Sequence, residues 1–322
     1  MASVTTDRSN GPVIAPSDSS RRARIREDLE ARTSGLRLAF ARIGLPAWFA
    51  VIDLLWIANP GDLGIDARHY QRAANAWLSG GNPWAVTESG IPYASGPHTL
   101  LLYAPTSMLP IELSTALWFA VGAGAAIWLV RRLQLPVWWV AFPPLLHSVW
   151  NGNPHGILVA LLVVNAPWAS ALAAIVKLYA GLQLLFRPRQ LLVAGAVLAV
   201  TLPFVPWQLY LEQGLGVTSH LATAWNGSAW RFPILVPPTL LGLWVIRRRG
   251  GEWLSIPAVF PATQFYYVST VLPLVARRPM LAVALALPVP LMTALVVGLL
   301  AVSEVTQRGW RASMIPEPTL SR

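Results

Sequence analysis

The feature that most narrows the folds open to this chain is a succession of long apolar stretches almost free of charge. Residues 279–302 (PMLAVALALPVPLMTALVVGLLAV) hold no ionisable side chain, and as a helix they would cross a hydrocarbon layer of roughly 30 Å. Similar runs occupy about residues 44–59, 98–130, 135–150, 154–186, 190–211, 232–246 and 253–276. Charged residues make up 12% of the 322-residue sequence, about half the share in a soluble domain, which argues against a cytosolic globular enzyme. Backbone inside lipid must satisfy its own hydrogen bonds, so the expected fold class is all-α, a polytopic membrane protein with about eight to ten spans. Several runs contain Pro or are too short to span unaided. No assignment places every Arg pair on one side without a kinked or re-entrant segment.

The formal charge is +10, but the basic residues stand in short clusters between apolar runs: Arg21, Arg22, Arg24 and Arg26, then Arg131–Arg132, Arg187 with Arg189, Arg247–Arg249 and Arg277–Arg278. Clusters so placed hold helix ends on the cytoplasmic side and face anionic headgroups, which points to membrane lipids as partners rather than nucleic acid. Cys is absent, removing disulfides, thiolate nucleophiles and Cys-ligated metal. Residues 1–43 read as a cytoplasmic tail, disordered and then basic and amphipathic, 44–302 as the transmembrane domain and 303–322 as a C-terminal tail. The first apolar run begins near Leu45, too far in for a cleaved signal peptide, so it is expected to be an anchor with its N-terminus inside. Residues 60–97 and 212–231 then form the two longest polar connections, and 60–97 is expected on the external side. The sixteen Trp suit interfacial anchoring.

The acidic residues are few enough to sort singly. Seven lie in the tails and Glu252 abuts an arginine cluster, leaving Asp53, Asp62, Asp66, Glu88, Glu112 and Glu212. Three of these fall within 60–97, and Asp53 lies in the span leading into that loop. Residues 66–78 (DARHYQRAANAWL) have the spacing of a surface helix, with Asp66, Tyr70, Ala73 and Trp77 on one face and Arg68, Gln71, Arg72 and Asn75 on the more polar side. Asp66 stands at the helix start, either as an N-cap or as a carboxylate held at the boundary to accept a proton.

Asp66, Tyr70, Ala73 and Ala74 are followed by Gly80, Gly81, Asn82, Pro83 and Trp84, and then by Tyr93, Pro97, Pro105, Leu109, Pro110 and Trp118. This order resembles the N-terminal signature of glycosyltransferase family 87, roughly D-x-x-x-Y-x-x-A-A, a G-x-N-P-Y turn, Y-x-Y-P-P, then A-P and L-P. Gly152 and Asn153, Lys177 and Tyr179, and Asn226 and Ser228 are similar to later elements of the family in the same sequence order. Ser95 and Gly96 replace the Tyr and first Pro of Y-P-P, Trp84 replaces a Tyr, and Pro154 with His155 follow Gly-Asn where Asn is commoner.

The resemblance implies a GT-C-type bundle with an external juxtamembrane helix in its first loop, in the plasma (inner) membrane with an external active site. It further implies inverting transfer of a sugar, typically mannose, from a polyprenyl-phosphate donor to a hydroxyl of a glycolipid or envelope glycan acceptor. Asp66 is then the base, and Arg68, Arg72 and Lys177 are the first candidates to hold the departing phosphate. The arginines can equally snorkel to headgroups. Lys177 interrupts an apolar run, where a charge is costly enough to mark a function, or else marks a segment end. His69, His98 and His155 are candidates for phosphate binding or are simply hydrogen-bonded. Tyr70, Tyr179, Asn153, Asn226 and Ser228 complete the expected substrate contacts, with Tyr266 and Tyr267 as further cavity residues and Asp53 as a buried partner for a cation. No cofactor is expected; a divalent ion at Asp62 and Asp66 would lack ligands. Two other classes fit the same features: a transporter or lipid-handling protein, and a catalytically inactive relative.

Overall fold

A computed structural model describes residues 39–217, 219 and 227–313 of the chain, with side chains through residue 307. The chain divides into two units, residues 1–44 and 45–322. Of the first, the described part is the end, including the π-helical turn Phe40–Gly44. The second is mostly helical and carries all that follows.

Proline sets the lengths of its helices. The ring supplies the φ of a first helical turn and lacks only an N–H that would be unpaired there, so it starts helices readily and interrupts them elsewhere. Helix α1 (Leu45–Ile52) continues as a π-helical turn to Ile57, and α2 (Ile65–Leu78) follows the break at Asn59–Pro60. After α3 (His98–Tyr103) and α4 (Ile111–Arg132), prolines open or cap α5 (Pro143–Trp150), α6 (His155–Val164), α7 (Pro167–Val176) and, beyond the short α8 (Ala180–Leu184), α9 (Pro188–Thr201). Later come α10 (Val236–Val245), α11 (Ser255–Val259), a 3-10 run Phe265–Val271 and α12 (Leu272–Arg277), and the segment ends in α13 (Leu281–Leu285) and α14 (Met292–Ser313).

Two stretches, Phe40–Ile57 and Ile111–Arg132, are long and apolar enough to cross a membrane, and a third counts if Pro188–Phe204 and Trp207–Val217, bent by 99°, form one span. Their outer faces carry exposed Leu54, Leu55, Trp56, Leu117, Leu192 and Phe204, the kind of surface a lipid-facing helix would present. The eight to ten expected spans therefore appear only in this coarser form. The run 154–186 is interrupted by Asn165 in the left-handed region (φ 57°) before Pro167, and again by extended backbone at Lys177. The run 279–302, read as one crossing, is split around Pro288 and Pro290, with Leu291 at φ 64°.

The packing that positions the site centres on α2. Ala67, Ala73 and Ala74 are fully enclosed, and their small side chains bring α2 against α3 and α4. Around them Tyr70, Trp84, Tyr93, Tyr103 and Trp118 form an aromatic cluster, with Tyr103 4.2 Å from Trp118 and 4.9 Å from Tyr70 between ring centres. The side placed as more polar in sequence is partly buried too: the Gln71 amide donates to the Leu109 carbonyl at 2.7 Å and, at longer range, to those of Thr106 and Ser107. An antiparallel hairpin pairs Thr87–Glu88 with Ile91–Pro92 across Ser89 and Gly90, both at positive φ as a two-residue turn requires.

Gly152 has φ 66°, and a Cβ there would lie 2.7 Å from that of Ala67. Gly152→Ala is therefore expected to lower stability by about 1–3 kcal/mol, read as a drop in the thermal unfolding midpoint of the detergent-solubilised protein. A wild-type midpoint would show that α2 is free to move away from the turn.

Candidate active site

Asp66 enters the site from the first turn of α2, but not as its cap. Gly64, at φ 69°, is the N-cap residue. The Gly64 N–H donates to the Trp150 carbonyl at 2.8 Å, and those of Asp66 and Ala67 to the Asn151 carbonyl at 2.9 and 3.3 Å. The end of α5 thus satisfies the orphan donors of α2 and leaves the Asp66 carboxylate unspent. Its place near the helix N-terminus still favours negative charge.

The carboxylate opens onto a cavity of about 620 Å³ that is also lined by Asp62, His69, Tyr70, Ser95, Lys177 and Tyr179 and by the aromatic rings of Phe260, Tyr266 and Tyr267. The buried Asn153 side chain, which does not itself line the cavity, holds two of its polar residues. Its Oδ1 accepts the His155 backbone N–H at 2.9 Å, which fixes the amide orientation, and its Nδ2 donates to Asp66 Oδ2 at 2.7 Å and to the Tyr70 hydroxyl at 3.0 Å. Lys177 Nζ donates to the same Tyr70 hydroxyl at 2.7 Å and to Ser95 Oγ, and it lies 4.4 Å from the centre of the Tyr70 ring. Asp66 and Lys177, 3% exposed, thus face one cavity and communicate through Tyr70 and Asn153 rather than by direct contact.

Burial raises the Asp66 pKa above its ordinary 3.8, an effect opposed by the Asn153 hydrogen bond and by the charge on Lys177. Desolvation lowers the pKa of His69. Its Nε2 donates to the Val86 carbonyl at 3.1 Å, so the neutral ring carries its proton there. His155 lies behind the cavity wall, with Nδ1 2.8 Å from the Tyr179 hydroxyl and its ring stacked 5.0 Å from that of Tyr267.

Other expected contacts fall elsewhere. Arg68 and Arg72 do not stand beside Asp66 as an anion clamp: Glu88, held by the hairpin, takes Arg68 Nε at 3.0 Å and pairs closely with Arg72 Nη1. On a helix, residues two and six positions beyond Asp66 point away from it, toward whatever packs on that flank. His98 is wholly buried and bonds Thr201 Oγ1 at 2.7 Å, tying α3 to the end of α9 outside the cavity. Ser228 is buried, its Oγ accepting the Trp230 N–H in a 3-10 turn, and it does not line the cavity. Asn226 lies outside the described residues. Asp53 lies in the π-helical turn after α1 and does not line the cavity. Among the described residues, no three His, Asp or Glu side chains converge as metal ligands would. Ser95, His147, Asn151 and Gln264 join the lining without having been singled out as ligands. Ser95 was visible in sequence only as a departure from Y-P-P.

Comparison with family models, with curated proteins and with solved structures finds no match to this chain.

Glu88 is 7% exposed and bears two guanidinium groups. Glu88→Gln, which leaves both without their counter-charge, is expected to destabilise the protein by about 1–3 kcal/mol, whereas Arg72→Gln, at a half-exposed position, is expected to cost less than about 1 kcal/mol. Thermal unfolding of the two variants, compared at low and high salt, checks the ranking.

Proposed function

We propose that the chain is an integral membrane glycosyltransferase of the GT-C type, similar to glycosyltransferase family 87. It transfers a sugar, mannose by the habit of that family, from a polyprenyl-phosphate donor to a hydroxyl of a lipid-linked or envelope glycan, with inversion. The observation that carries this reading is the pairing of a carboxylate and an ammonium group on one cavity, linked by Tyr70 and Asn153. In the full reading the short proline-bounded helices pair end to end as broken spans of an eight-to-ten-span bundle, with α2 as the external juxtamembrane helix.

The chemistry follows from the two ends of that relay. The acceptor hydroxyl gives its proton to Asp66 as its oxygen bonds to the anomeric carbon. The bond from that carbon to the phosphate oxygen breaks on the opposite side, and the electron pair leaves on the phosphate. Lys177, Ser95 and the Tyr70 hydroxyl are placed to stabilise that charge. A phosphate leaves without protonation, so no general acid is needed. A carboxylate with a raised pKa is a stronger base than an exposed one, provided the pH keeps it ionised.

The test supplies purified protein with radiolabelled polyprenyl-phosphate mannose and a panel of glycolipid acceptors. Asp66→Asn is expected to reduce transfer by about 10²- to 10⁴-fold. Transfer that survives the substitution would remove Asp66 as base, and absent transfer combined with flux across vesicles would favour a transporter. The base form of Asp66 exists above its pKa, so the rate is expected to fall as pH drops through a value higher than the ordinary 3.8. Asn153→Ala removes a hydrogen bond to the ionised form and should move that acid limb to still higher pH. A limb that stays in place or moves down would show that Asn153 does not set the basicity of Asp66.

A further inference from the structure

A second groove, of about 600 Å³, lies apart from the residues of the catalytic proposal. One wall is α8 and the residues after it, with Leu182, Leu185 and Phe186; the other is α10, with Leu240, Leu243 and Trp244. Arg247 and Arg248 stand at one end. We propose that this groove binds an anionic phospholipid, with an acyl chain between the two apolar walls and the phosphate at Arg247 and Arg248.

Charge selects the headgroup. Glu252, the one carboxylate on the groove, is already engaged by Arg187, with Nε to Oε2 at 3.0 Å, so it does not neutralise the mouth. Arg247 folds back: its Nη1 donates to the Trp244 carbonyl at 2.8 Å and its guanidinium lies 4.1 Å over the Trp244 ring. That contact fixes the indole as a wall and leaves the other donors of the fork free for an anion. Arg248 makes no side-chain hydrogen bond or ion pair with any described residue, and both guanidiniums are exposed. They sit at the C-terminal end of α10, where cations complement the helix dipole, but the dipole does not account for an apolar trough leading away from them. Leu185, Leu240 and Trp244 are exposed large hydrophobics on that trough, so its occupant must offer an aliphatic chain as well as an anion. A second copy of this chain would bring two more arginines against these two.

The groove and the catalytic cavity share a partition. Leu178 and Tyr179 face the cavity while Leu182 and Phe186 face the groove, and Phe260 and Val259 divide in the same way. A bound lipid would therefore brace the segment that carries Lys177. The proposal does not depend on the catalytic reading, since it is tested by binding alone.

The full chain is reconstituted in phosphatidylcholine vesicles containing dibrominated phosphatidylglycerol or, in parallel, dibrominated phosphatidylcholine, and fluorescence quenching is followed. The contribution of Trp244 is taken as the difference between wild type and Trp244→Phe. That component is expected to show an apparent affinity roughly tenfold higher for the anionic lipid. The preference should vanish in Arg247→Gln/Arg248→Gln and persist in Arg247→Lys/Arg248→Lys, which controls for folding. Equal quenching by both lipids, or a preference unchanged in the Gln variant, would overturn the proposal. So would displacement of brominated phosphatidylglycerol by an equimolar polyprenyl monophosphate, or quenching lost as protein density rises, since these assign the groove to an isoprenoid or to a second copy.

Discussion

The arrangement on which the rest of this site depends is a buried ammonium group whose nearest partners are neutral. An ion removed from water needs compensation, and direct contact with a carboxylate is the usual supply. Lys177 instead donates hydrogen bonds to the hydroxyls of Tyr70 and Ser95 and lies over the Tyr70 ring. Its negative counterpart, Asp66, acts from beyond that hydroxyl, itself held by Asn153. A direct ion pair would occupy the lone pairs and protons that a ligand needs. Separation by one phenol and one amide keeps the pair electrostatically coupled while both charged groups remain on the cavity.

That geometry requires breaks between helices, and at Asn153 the adjoining Pro154 supplies one. Lys177 sits in extended conformation between α7 and α8, and Asn153 sits in the turn between α5 and α6, just before the Pro154 that caps the latter. In an unbroken helix, both backbones would spend their polar groups within the helix and their side chains would be spread along its faces. Ending the helices brings side chains from four segments to one place, at the cost of loose backbone groups that must find other partners. The Asn151 carbonyl, which takes two N–H groups from the first turn of α2, is one such group put to use.

How much of this was legible in the sequence differs by residue. The extent of α2 and the burial of Tyr70 and Ala73 follow from local spacing, because a helix face is a property of a few neighbouring residues. That Lys177 would be buried could be read from the apolar residues on both sides of it. The partners of Arg68 and Arg72 could not: they depend on Glu88 being brought back by a hairpin whose only sequence sign is Ser89–Gly90, and the same two arginines suit a phosphate equally well. Which of the two readings holds for His98 could not be decided locally either, since the Thr201 that bonds it lies about a hundred residues away. The apolar run at 279–302 was read as one crossing because hydropathy sums over a window, while Pro288, Pro290 and the left-handed Leu291 act at single positions. Ser95 departs from Y-P-P in sequence, and the role of its hydroxyl depends on Lys177, which lies far along the chain.

The loss of the two arginines from the cavity bears on which donor the proposed reaction would accept. With Arg68 and Arg72 committed to Glu88, the ionisable lining consists of one lysine, the carboxylates Asp62 and Asp66, and histidines. A sugar linked to its lipid through a single phosphate is a diester with one negative charge, for which Lys177 is the one fixed cation among the described lining residues. In the proposed reaction a pyrophosphate-linked donor would bring a second charge to those carboxylates with no further fixed cation to offset it. By holding Glu88 against the far flank of α2, the hairpin keeps Arg68 and Arg72 paired away from the cavity lining.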